Sequence, residues 1–197
     1  ISQFLGDGIM ALFLEKPEDV VIASIEMQKQ ISSYNQIRIQ KNRNPIHVGI
    51  GTHTGPLIMG VIGDDQRMDA TVVADAVNTA SRMEGLTKFY GANVIVSEAT
   101  LAGIKDPTDY RYRFLGKVQL KGRMASIGVY DFFDGDLPGV IEKKEASLEL
   151  FESGIRKYYT KDFEGAIQAF QEVLSIHDTD KAAQHYLELA MANSQQG

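Results

Sequence analysis

The chain has 197 residues and a formal net charge of -6, with 44% of its residues hydrophobic and 23% charged. At about 150 residues per domain there is room for one full domain and a small addition, and the acidic balance excludes a general nucleic-acid binder, which needs cations in bulk. The absence of cysteine removes disulfide frameworks, thiol catalysis and cysteine-ligated zinc, and apolar runs such as Gly8 to Leu14 are too short to cross a bilayer.

The chain opens on Ile1 without an initiator Met, so upstream sequence is expected to be missing. Gln3 to Phe13 is two apolar runs joined by Gly6-Asp7-Gly8, the turn chemistry of a tight hairpin. Lys16 to Gln40 has a helical period. Pro17 suits a first helical turn, and Val20, Ala23, Ile25, Met27, Ile31 and Tyr34 form an apolar stripe. His47 to His53 and Leu57 to Ile62 are β-rich runs around Thr54-Gly55-Pro56, which predicts a second hairpin. A helix follows over about Ala74 to Tyr90, closed by Gly91. After it come a short strand at Asn93 to Ser97, a helical turn from Glu98, and strands near Tyr112–Leu120 and Ile127–Phe133.

This order mixes hairpins with packed helices, which predicts an α+β fold with helices on a mainly antiparallel sheet. Composition shifts at Asp134 to Gly139, giving a first domain over 1–135 and a linker with a helical tail over 136–197. In the tail, Leu150, Gly154, Tyr158, Phe163, Ala166, Phe170, Val173 and Leu174 follow the spacing of a tetratricopeptide repeat, whose period is about 34 residues. A single helical hairpin of this kind cannot bury its own apolar face. Leu150, Phe151, Phe163, Ala166, Phe170 and Leu174 are therefore expected to leave a surface for the first domain, a second tail or another protein.

Several chemistries are absent. Gly49-x-Gly51 lacks the third glycine of a dinucleotide fingerprint, and no G-x-x-x-x-G-K-[ST] phosphate loop occurs. His47 and His53 have no third ligand nearby and read as structural, and His177 and His185 read as surface residues. Asp7, on a glycine-flanked tip, is open to a hard cation such as Mg²⁺, although Asp-Gly is also an ordinary hairpin turn. Asn78 and Arg82 lie four residues apart on one helix face, where an amide and a guanidinium suit a phosphate or simply meet solvent.

The stretches Gln3 to Phe13, His47 to Leu57, Arg67 to Glu84 and Leu120-Lys-Gly-Arg123 together resemble the class III nucleotidyl cyclases in order and spacing, over roughly Ile1 to Phe133. The tail resembles the tetratricopeptide-like extension found after some bacterial cyclase domains. This resemblance implies a ferredoxin-like, palm-type catalytic domain that lacks its first strand and helices. It also implies a homodimer with two interfacial active sites, each using two Mg²⁺ or Mn²⁺ ions. Asp7 matches one metal aspartate. The other would precede Ile1, so the fragment alone is expected to be inactive.

The resemblance further gives Asn78 and Arg82 the ribose and the pentavalent phosphorus, and Lys121 and Arg67 the phosphates. Thr71 sits where adenine is read. Gln3 stands where the family's base-selecting Lys is expected, yet its amide can still bond a purine edge. The implied reaction is ATP to 3′,5′-cyclic AMP and pyrophosphate in a cytoplasmic signalling protein, with no membrane contact expected within these residues and room for an anchor in upstream segments. Guanylate cyclase, or a silent regulatory homologue, is the alternative.

Overall fold

A computed structural model describes residues 3–64, 67–73, 75–119 and 126–195. Strands β1 (Gln3–Leu5) and β2 (Gly8–Met10) form the hairpin expected around Gly6-Asp7-Gly8, with Gln3 opposite Met10. Helix α1 (Pro17–Gln40) has Pro17, Glu18 and Asp19 in its first turn and Arg38 in its last, which suits the helix dipole. Its buried face is Val21, Ser24, Ile25 and Gln28, whereas Met27 and Tyr34 are exposed. Of the expected apolar stripe, Ile25 is buried and Val20, Ala23 and Ile31 are half-buried, while the polar Ser24 and Gln28 complete the inward face. Ser24 Oγ donates to the Val20 carbonyl at 2.6 Å and Gln28 Nε2 to the Val48 carbonyl at 2.7 Å, so both are satisfied inside.

The second hairpin is not the predicted one. Strand β3 (Ile50–Thr52) pairs in parallel with β6 (Val94–Ser97), while β4 (Ile58–Asp64) pairs with β5 (Arg67–Val73), which sequence reading left unassigned. The main sheet runs β3-β6-β8-β7, with β7 (Tyr112–Gln119) and β8 (Ser126–Phe132) antiparallel. Helix α2 (Asp75–Tyr90) ends as expected at Gly91, whose φ is +65°, and the short α3 (Glu98–Leu101) is capped by Ser97.

Alternation on the strands explains the layering. Val94, Val96 and Phe132 face a core made with Val21 and Ile25 of α1. Ile95, Ile127 and Val129 face the opposite core with Met83 and Tyr90 of α2. A sheet covered on both faces buries every residue of its central strand, as in β6. Gly51 is needed because any Cβ there would collide with the α2 backbone at Ala80 and Met83–Glu84.

The tail is three helices rather than a hairpin: α4 (Pro138–Tyr159), α5 (Phe163–Ile176) and α6 (Lys181–Ser194). Phe151, Ala166, Phe170 and Tyr186 are buried in the same core as Met83, Leu115 and Val129. Of the three covers expected for this apolar face, the first domain supplies it, through the sheet and α2. The structure joins residues on both sides of position 135 in one core.

Candidate active site

Asp7 lies in the β1–β2 turn behind Gly6, whose φ is +66°, and is exposed. Gln3 is half-buried at the other end of the hairpin. This hairpin forms its own two-stranded sheet, apart from the four strands on which α2 packs. On α2, Ala76, Thr79, Met83, Thr87 and Tyr90 face inward. Asn78 and Arg82 project from the opposite side, one turn apart, and both are exposed. They form a polar pair on a rigid helix, reachable by a ligand.

Thr71 and Arg67 lie on β5, opposite Gly60 and Asp64 in the ladder. Lys121 lies outside the described residues, beyond the end of β7. Asp7 offers a hard carboxylate oxygen of the kind Mg²⁺ takes. Among the described residues no three His, Asp or Glu converge on a metal position.

Sequence reading missed two polar features. A cleft of about 590 Å³ opens where α2 begins, lined by His53, Thr54, Pro56, Asp75, Glu98 and Ile127 among others. Beneath it His53 Nδ1 and Ser97 Oγ lie 2.9 Å apart, and Ser97 Oγ and Thr100 Oγ1 3.2 Å apart. Thr54 Oγ1 donates to Thr100 Oγ1 at 3.0 Å. Gln3, Asp7, Asn78 and Arg82 are not among the described residues that line this cleft.

The second feature is a buried charge network between sheet and tail. Arg113 Nε donates to Asp131 Oδ2 at 3.1 Å, and its two terminal nitrogens donate to Asp180 at 2.5 and 3.2 Å. Lys144 Nζ donates to both Asp131 and Asp136 at 2.7 Å. Burial and its neighbour Asp131 push the Asp136 carboxyl up, against the pull of Lys144. Burial also acts to raise Asp180, but the Arg113 guanidinium beside it holds it below the ordinary carboxylate value. His177, expected at the surface, is only 5% exposed. His185 is half-buried against Phe89, ring centroids 4.4 Å apart. One signal could have revealed the network: Arg113 and Asp131 interrupt the strand runs Tyr112 to Leu115 and Val129 to Phe133 with charge.

The fold is the mixed α+β arrangement of nucleotide-cyclase structures. Residues 3–133 match the family described as the adenylate and guanylate cyclase catalytic domain, and the chain belongs to that family. An adenylate cyclase of Anabaena cylindrica is 39% identical over 137 residues, covering 66% of this chain and 27% of that protein. The terminal-differentiation-specific adenylate cyclase of Dictyostelium discoideum is 29% identical over 201 residues, covering 98% of this chain, helical tail included, and 9% of that protein. The chain thus spans about a quarter or less of these two relatives. Among solved structures, a bacterial light-regulated adenylyl cyclase superposes with a TM-score of 0.57 at 27% identity, covering 68% of this chain and 39% of that one. A guanylyl cyclase does so with 0.54 at 27% identity, covering 66% of this chain and 68% of that one.

Proposed function

We propose that the chain is the catalytic part of a cytoplasmic adenylate cyclase, converting ATP to 3′,5′-cyclic AMP and pyrophosphate. The observation that carries this reading is the exposed Asn78–Arg82 pair, one turn apart on α2, within a cyclase-family fold. In the reaction the ribose 3′-oxygen bonds to the α-phosphorus, the bond from that phosphorus to the bridging oxygen breaks, and the hydroxyl proton passes to solvent as pyrophosphate leaves. Asn78 orients the ribose by hydrogen bonding. Arg82 meets the negative charge that grows on the phosphoryl oxygens, and a preplaced donor of this kind is worth about 10²–10³ in rate. A divalent ion bound through Asp7 would acidify the hydroxyl and neutralise the leaving phosphates.

From the resemblance to the class III cyclases, we assign the two halves of one site, the hairpin bearing Asp7 and helix α2, to two chains of a homodimer. Arg67 and Lys121 then hold the terminal phosphates, and Thr71 with Gln3 reads the base. Gln3 is the observation that keeps guanylate cyclase as a second reading, since a neutral amide bonds either purine edge. Product analysis with ATP and GTP, in Mg²⁺ or Mn²⁺, on the natural chain that carries these residues tests both. Cyclic AMP formed well ahead of cyclic GMP supports the assignment. Tight nucleotide binding with neither product would make the domain a silent homologue.

A further inference from the structure

Helix α6 grips two elements at once. At its N-terminus Asp180 accepts the amides of Ala182 and Ala183 at 3.1 and 3.2 Å, and the same carboxylate accepts the fork of Arg113 on β7. Further along, Tyr186 donates its hydroxyl to the Leu115 carbonyl at 2.7 Å. The β7 ladder is bulged between Phe114 and Gly116, and Gly116 has φ +120°. A Cβ at Gly116 would collide with the Tyr186 hydroxyl and press on that of Tyr159, so the strand is shaped to this contact. The Lys117 amide donates to Tyr159 Oη at 2.9 Å. On its other side α6 lies along the end of α2. His185 stacks edge-on against Phe89 and Tyr90, and the Lys181 stem covers Gly91.

One of the two gripped elements carries the proposed chemistry. Helix α2 bears Asn78 and Arg82, and β7 is the strand to which α6 anchors it. We propose that α6 is a brace for the reaction, in which Asp180 and Tyr186 are positioning residues that fix α6 to β7 and so hold α2, with Asn78 and Arg82, in one register against the sheet. The proposal rests on the cyclase reading above. A purely apolar contact would tolerate sliding, whereas a buried bidentate ion pair and a hydroxyl seated over a glycine bulge each accept one register.

Tyr186→Phe removes one hydroxyl and keeps the ring stacked on Phe170 (5.6 Å between centroids). Asp180→Asn keeps an oxygen for the helix cap and removes the charge. In Tyr186→Phe, amide exchange across 112–119 should rise about tenfold or more while α5 keeps its protection. With ATP, kcat should fall about fivefold and KM stay within about twofold, the pattern of lost alignment rather than lost affinity. Asp180→Asn should do the same more strongly, with α2 exchange also raised. Unchanged exchange in β7, or faster exchange with unchanged kcat, would overturn the brace. If the natural chain that carries these residues turned over neither nucleotide, the cyclase reading would fail, and the exchange result would still decide whether α6 orders β7 and α2.

Discussion

The two polar regions of this molecule treat charge in opposite ways. On the hairpin and the outer face of α2, Asp7, Asn78 and Arg82 stand exposed on short-range supports, a two-residue turn and one helical turn. Between sheet and tail, Arg113, Lys144, Asp131 and Asp180 are all at most 2% exposed, held in multiple ion pairs and drawn from positions far apart in the chain. An exposed charge costs little to keep and lies within reach of a ligand. A buried charge is tolerable only when fully paired, so it fixes geometry and is costly to disturb. Substitutions should therefore separate the regions by what they damage, stability or turnover.

The largest effect is expected in the buried region. Arg113→Ala strands Asp131 and Asp180 without their guanidinium, and breaking a buried pair in this way costs about 3–5 kcal/mol. Denaturant unfolding should show it as a lower midpoint. In the exposed region Arg82→Ala should cut turnover by about 10²–10³, with an unfolding free energy within about 0.5 kcal/mol of the unaltered chain. A large loss of stability in Arg82→Ala would erase the contrast.

Gly116→Ala sharpens it from the buried side. The added methyl meets the Tyr186 hydroxyl in a backbone conformation that disfavours side chains, and overpacking of this kind costs about 1–3 kcal/mol. Thermal unfolding measures the loss. The smallest effect is on pH dependence. Burial lowers the His177 pKa below 6.5, partly offset by Asp180, with Arg113, Lys144 and Lys143 adding to the lowering. The folded chain thus binds this proton less readily than the unfolded one. The stability it contributes is complete above about pH 6.5 and declines as the pH falls below it. His177→Gln should flatten part of that decline, with His185, also lowered by burial, left to supply the rest.

Features set by neighbouring residues were legible in the sequence. The Gly6-Asp7-Gly8 turn, Pro17 opening α1, Gly91 closing α2 and the β7–β8 pair all stand where local chemistry placed them. Features set by distant residues were not. The Thr54-Gly55-Pro56 stretch looks like a turn, yet β3 pairs with β6 about 44 residues on, because α2 must cross between two parallel strands. Arg67 to Val73 carries two charges and hides its strand character. Gln28 and Ser24 read as surface until their carbonyl acceptors are known. For the site, Asp7, Asn78 and Arg82 are on exposed supports as expected. The ion network left only the charges of Arg113 and Asp131 inside apolar strand runs as a signal, because Arg113 and its partner Asp180 are 67 positions apart.

The central claim, one site built from the hairpin of one chain and α2 of another, is tested most directly by complementation. An Asp7→Ala chain and an Arg82→Ala chain should each be nearly inactive alone. Mixed in equal amounts they should recover about a quarter of unaltered activity, since about half the dimers are mixed and each mixed dimer regains one of two sites. A mixture that stays inactive although mixed dimers are shown to form would contradict the claim.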